Sequence, residues 1–65
     1  MITINRERFL IVLANSMLGD VDLSKNANVS RNIISELKTG KKTTVRPQTL
    51  GKLARALGVR AEDLI

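Results

Sequence analysis

The sequence contains no cysteine and no histidine, and its only aromatic residue is Phe9. Without those side chains the chain has no disulfide, no thiol nucleophile, no thiolate metal site and no imidazole for acid–base catalysis. A lone aromatic also argues against single-stranded nucleic acid and RNA, because proteins bind these by stacking bases on exposed aromatic rings. We therefore expect no enzymatic activity, no metal and no cofactor.

Long apolar runs and targeting signals are missing as well. The longest apolar run, residues 9–14, is far too short to cross a bilayer, and it lacks the basic flank and cleavage site of a signal peptide. A chain of 65 residues has room for one domain with a small core. We expect a single domain over residues 1–65 in the cytoplasm, a reducing compartment with which the lack of cysteine is consistent.

Basic side chains are plentiful and unevenly placed. The net charge of the chain is +5, and residues 31–55 hold seven basic residues against one acidic residue, which gives this stretch +6. A basic surface binds polyanions because neutralising phosphates releases condensed counterions. Small domains also carry such charge for solubility, so it favours nucleic acid only together with a binding motif.

The spacing of apolar residues predicts an all-α domain of short helices. Thr3 or Asn5 can cap the first helix, Pro47 suits the first position of the fourth, and Gly58 suits its end. Residues 41–46 have no periodicity and are polar and basic, so we expect a loop there. Residues 16–19 break the first predicted helix, and the next helices cover residues 20–27, 30–39 and 47–57. One or two further turns are expected in residues 59–65, where Ala61, Leu64 and Ile65 would close the core.

Residues 18–40 read as two short amphipathic helices joined by a tight turn. Leu23 and Ala27 lie at spacings that pack inward, and Asn28 tolerates the positive φ that a chain reversal needs. Ser30 is a good N-cap for the second helix because its hydroxyl can accept from an unpaired backbone N–H. This is the layout of a DNA-binding helix-turn-helix.

The second helix of this pair has a polar face opposite its apolar stripe of Ile34 and Leu37. Arg31 and Asn32 lie just inside its N-terminus, and these residue types form bidentate hydrogen bonds with guanine and adenine in the major groove. A polar helix face on its own is more commonly an ordinary solvated surface. Combined with the turn and the basic charge, it favours double-stranded DNA as the partner.

Over essentially its whole length the chain resembles the Cro/C1-type helix-turn-helix family of phage repressors and bacterial regulators. Residues 18–40 carry the resemblance together with residues 47–65, which include Leu53-Ala-Arg-Ala-Leu-Gly-Val59. The resemblance implies a compact five-helix, lambda-repressor-like domain whose third helix lies in the major groove. It also implies a homodimer that reads two half-sites.

Carried over position by position, the resemblance assigns two sets of contacts with DNA. The base-reading candidates are Arg31, Asn32, Ser35 and Glu36. The phosphate-binding candidates are Ser30, Lys38, Thr39, Lys41, Lys42, Arg46 and Gln48.

Two positions depart from the family pattern. Asp20 stands where the family commonly has a glutamine that binds a phosphate, and its carboxylate would be repelled there unless it is protonated or turned away. Leu13 and Lys38 stand where several members have a buried Arg–Glu pair. Losing both charges together is coherent, because one buried charge left alone is strongly destabilising, and it leaves Lys38 free for solvent or phosphate.

Two functions fit these features. The first is a sequence-specific, double-stranded DNA-binding transcriptional regulator that acts as a repressor. The alternative is an antitoxin-like module whose main partner is another protein, suggested by the acidic Asp20 and Asp22, with DNA binding secondary. If the chain forms a homodimer, the candidate contacts are Pro47, Leu50 and residues 61–65, although these residues can equally belong to the core.

Overall fold

Four α-helices and one short 3-10 helix follow one another in the computed structural model, which describes all residues from 1 to 65. The α-helices are α1 (Arg6–Ser16), α2 (Asp20–Ala27), α3 (Arg31–Thr39) and α4 (Pro47–Leu57), and the 3-10 helix is Ala61–Leu64. Two strands of two residues each, β1 (Ile2–Thr3) and β2 (Thr44–Val45), pair antiparallel with Ile2 opposite Val45. The molecule is thus mostly helical, as the sequence predicts.

The expected fifth helix is a single 3-10 helix of four residues. At its start the backbone N–H of Arg60 donates to Asp63 Oδ2 at 3.1 Å, and the backbone N–H of Asp63 donates to the carbonyl of Arg60 at 2.9 Å. This short turn is enough to bring Leu64, which is fully buried, back into the core. The five-helix count therefore becomes four α-helices and one 3-10 helix.

The small sheet was not expected, because residues 41–46 are predicted to be a loop. β2 lies inside that segment, and the backbone N–H of Ile4 extends the pairing by donating to the carbonyl of Thr43 at 2.8 Å. The β-branched residues around both strands favour this extended conformation. Pairing of β1 with β2 fixes the chain just before α4 and buries Val45.

The helix ends follow local chemistry that the sequence displays. Asn5, not Thr3, caps α1, since Asn5 Oδ1 accepts from the backbone N–H of Arg8 at 3.1 Å. Pro47 begins α4, and Gly40 and Gly58 adopt left-handed conformations that end α3 and α4. The predictions for Pro47 and Gly58 are confirmed, as are the bounds of α2.

The core consists of fourteen buried residues, all of them apolar. Every helix contributes to it, and α2 and the 3-10 helix both pack against α4. Ile65 was expected to help close the core with Leu64, but it is 46% exposed. No helix is long and apolar enough to cross a membrane.

Candidate nucleic-acid interface

The turn between α2 and α3 is held by Ser24 as well as by the predicted Asn28. Asn28 has φ 55° and ψ 46°, the left-handed conformation that reverses the chain, and its N–H donates to the carbonyl of Ser24. Ser24 Oγ then donates to the carbonyl of Val29 at 2.6 Å. Two connections from one residue close the turn, and sequence reasoning identified only Asn28.

Ser30 caps the start of α3, and two buried residues determine which side of the helix faces solvent. Ser30 Oγ accepts from the backbone N–H of Asn32 at 3.2 Å, so the predicted N-cap is confirmed. Ile34 and Leu37 are at most 1% exposed. Because these two residues face the core, the opposite side of α3 faces solvent.

The four base-reading candidates lie on this solvent side of α3. Arg31, Asn32 and Ser35 are exposed, and Glu36 is half-buried. In a helix of 3.6 residues per turn, positions 31, 32, 35 and 36 occupy one continuous arc. The structure therefore brings these side chains together on one accessible face, whose N-terminal end carries Arg31 and Asn32.

The basic loop lies beside that helix. A cleft of about 310 Å³ lies between α3 and the start of α4 and is lined by Met1, Ile33, Lys42, Val45, Arg46 and Thr49. The backbone N–H of Lys42 donates to the carbonyl of Glu36 at 3.1 Å, which ties the loop to α3. Of the other phosphate-binding candidates, Thr39, Lys41 and Gln48 are exposed and Lys38 is half-buried.

Residues 15–65 match the family model described as the Cro/C1-type HTH DNA-binding domain. The chain belongs to this family. No curated protein and no solved structure gives a significant match. The matched segment contains α2, the turn, α3 and α4, so the resemblance seen in the sequence is confirmed, while β1 and most of α1 lie outside it.

Asp20 and Lys38, two residues expected to depart from the family pattern, form an ion pair in this Cro/C1-type domain. Lys38 Nζ lies 2.9 Å from Asp20 Oδ1, with side chains 36% and 32% exposed. Each charge also suits its helix, because Asp20 lies in the first turn of α2 and Lys38 in the last turn of α3. The expectation of a free Lys38 is therefore wrong: its ammonium is engaged by the carboxylate of Asp20.

A contact that the sequence did not reveal lies at the same C-terminal end of α3 in this Cro/C1-type domain. Arg6 Nε donates to the carbonyl of Lys38 at 2.7 Å. The two residues are 32 positions apart, and no local pattern signals such a contact. The first residue of α1 is thus attached to the C-terminus of α3.

The predicted dimer contacts are divided between the core and the surface. Leu50 and Leu64 are buried within the single chain, at 5% and 0% exposure, and present no surface to a partner. Pro47 and Ile65 are exposed. Ala61 is half-buried, so Pro47 and Ile65 are the apolar candidates most accessible to a second copy of this Cro/C1-type domain.

Proposed function

We propose that this protein is a sequence-specific, double-stranded DNA-binding transcriptional regulator of the repressor type, which inserts α3 into the major groove. The observation that carries the proposal is the exposed arc of Arg31, Asn32 and Ser35 on a helix fixed by Ile34 and Leu37. Arginine and asparagine are the side chains that discriminate guanine and adenine by paired hydrogen bonds. Membership of a DNA-binding family supports the same conclusion.

The residues around that arc position the protein on the duplex. Ser30 and Thr39 lie at the two ends of α3, and Lys41, Lys42 and Arg46 follow in the basic loop. Contacts with phosphates set the orientation of a DNA-binding protein, while contacts with base edges set its sequence preference. Gln48, in the first turn of α4, completes this set. A repressor bound in this way acts by occupying the DNA that polymerase needs.

A homodimer on an inverted repeat is the form in which we propose that the protein binds. Helix-turn-helix dimers read half-sites about one helical turn apart, so the symmetry of the site follows that of the protein. Pro47 and Ile65 remain the contact candidates. The antitoxin-like alternative rests on the negative charges of Asp20 and Asp22. The ion pair with Lys38 offsets the charge of Asp20, so only Asp22 still supports this alternative.

Two substitutions separate base reading from phosphate binding. Arg31→Ala should cost about 1–3 kcal/mol at a single base position of the preferred duplex and relax the preference there. Lys41→Ala should weaken binding to all duplexes alike and lower the salt dependence, the slope of log K against log [salt], by about 1. Binding isotherms on duplexes changed one base pair at a time measure both effects. If neither substitution changes binding, α3 and its loop do not contact DNA.

A further inference from the structure

Arg6 lies across the C-terminal end of the proposed recognition helix. Besides the hydrogen bond from Nε to the carbonyl of Lys38, its Cδ lies 3.6 Å from the position that a Cβ on Gly40 would occupy. The aliphatic part of Arg6 therefore passes over Gly40, and its guanidinium is held at the last turn of α3. Arg6 lies outside the segment that matches the family model.

The outer edge of this guanidinium has no partner within the protein. The two ion pairs of the chain are Lys38 with Asp20 and Arg60 with Glu62, so Arg6 faces no carboxylate. Only its Nε donates a hydrogen bond, and the side chain belongs to an exposed residue. An arginine fork has five N–H donors, and the pair of Nη atoms matches the spacing of two phosphate oxygens.

The C-terminus of α3 is a place where a phosphate needs such a cation. The last carbonyls of a helix carry partial negative charge, which repels an anion. Arg6 covers one of these carbonyls with a positive charge, and Lys41, which directly follows Gly40, supplies a second charge close by in the chain. The ion pair with Asp20 engages the positive charge of Lys38. Arg6, from α1, supplies another positive charge at the same end of α3.

We propose that Arg6 binds a phosphate of duplex DNA through its Nη atoms while its Nε keeps hold of the carbonyl of Lys38. This inference rests on the proposed function, since it assumes that α3 docks on DNA. Arg6 then has two roles: it fixes the end of the recognition helix and adds one backbone contact to those of the basic loop.

The test compares Arg6→Met with Arg8→Met on a random-sequence duplex over a range of salt concentrations. Arg8 is a matched control because it also lies in the first turn of α1 and donates one hydrogen bond to a carbonyl, that of Ile65 at 3.1 Å. The inference predicts that Arg6→Met lowers the salt slope by about 1 and weakens binding about tenfold, while Arg8→Met leaves the slope unchanged. Equal slopes for both variants overturn it, whether both fall together or neither falls.

Arg6→Lys keeps the inference testable if Arg6→Met fails to fold. A lysine retains the charge, but its single ammonium cannot hold the carbonyl and a phosphate in the geometry of a fork. We expect a preserved salt slope with several-fold weaker binding, whereas wild-type affinity would contradict the dual role. Failure of the proposed function has a different signature, since Arg31→Ala and Lys41→Ala would then leave duplex binding unchanged.

Discussion

Lys38 Nζ lies 2.9 Å from Asp20 Oδ1, and this contact joins the last turn of α3 to the first turn of α2. Both side chains are about one third exposed, so solvent screens their attraction, and pairs of this kind contribute about 0.2–1 kcal/mol to stability. The pair gives the two helices of the helix-turn-helix a second connection besides the turn. The same pair engages the ammonium group of Lys38, which a free Lys38 would offer to DNA.

Asp20→Asn should therefore destabilise the protein slightly and strengthen DNA binding. We expect the free energy of unfolding to fall by about 0.2–1 kcal/mol, because the ion pair is lost. The released Lys38 should tighten binding and steepen the salt slope by up to about 1. Urea unfolding and salt-dependent binding isotherms measure the two effects.

Asp22→Asn is the matched control for that substitution. Asp22 is exposed, lies in the same turn of α2 and forms no ion pair, so its loss removes a negative charge without releasing a lysine. We expect its unfolding free energy to change by less than about 0.5 kcal/mol. Identical effects of the two substitutions on stability and on binding would show that the pair has no role of its own.

Leu64→Ala should show that the short 3-10 helix belongs to the core. Leu64 is fully buried, and its carbonyl accepts from the backbone N–H of Asn5 at 2.8 Å. Truncation of a buried leucine costs about 2–5 kcal/mol, a large share of the stability of so small a domain. Ile65→Ala, at an exposed neighbour, should cost far less, and similar melting temperatures for the two variants would contradict this packing.

Gly40→Ala and Gly51→Ala should have opposite effects on stability. Gly40 has φ 84°, where a side chain costs about 1–2 kcal/mol, although a Cβ there would make only an ordinary van der Waals contact with Arg6. Gly51 lies within α4, and a Cβ added to it would meet nothing within 4 Å. Alanine at position 51 should therefore stabilise the helix by about 0.5–1 kcal/mol. Thermal unfolding of both variants measures these changes in stability. A stabilising Gly40→Ala would be inconsistent with the left-handed backbone conformation of Gly40 at the end of α3.

Ser30→Ala and Ser35→Ala should separate capping of α3 from base reading by α3. The Ser30 hydroxyl caps the helix, so its removal should cost about 1 kcal/mol of stability. Ser35 is exposed, and its replacement should leave stability nearly unchanged while altering the preferred base at one position. Equal melting temperatures for the two variants would contradict the capping role of Ser30.

The parts of the fold that the sequence predicts are those set by local chemistry. Asn28 reverses the chain, Ser30 caps α3 and Pro47 begins α4, because each residue type has a strong preference for its backbone conformation. The exposed face of α3 follows in the same way from the spacing of Ile34 and Leu37.

The parts that the sequence does not predict are contacts between distant segments. Asp20 and Lys38 are 18 positions apart, and Arg6 is 32 positions from the carbonyl that it binds. Which charge meets which partner depends on how the finished helices cross, and no periodicity in the sequence encodes this. Pairing of the two-residue strands is likewise too short to leave a pattern.

The measurement that tests the central claim most directly is selection of bound duplexes from a random DNA pool at near-physiological salt, where non-specific phosphate binding is weakened. The account predicts enrichment of an inverted repeat whose half-sites lie about one helical turn apart. Retention of DNA with no enriched sequence, lost as salt rises, would contradict sequence-specific recognition by α3.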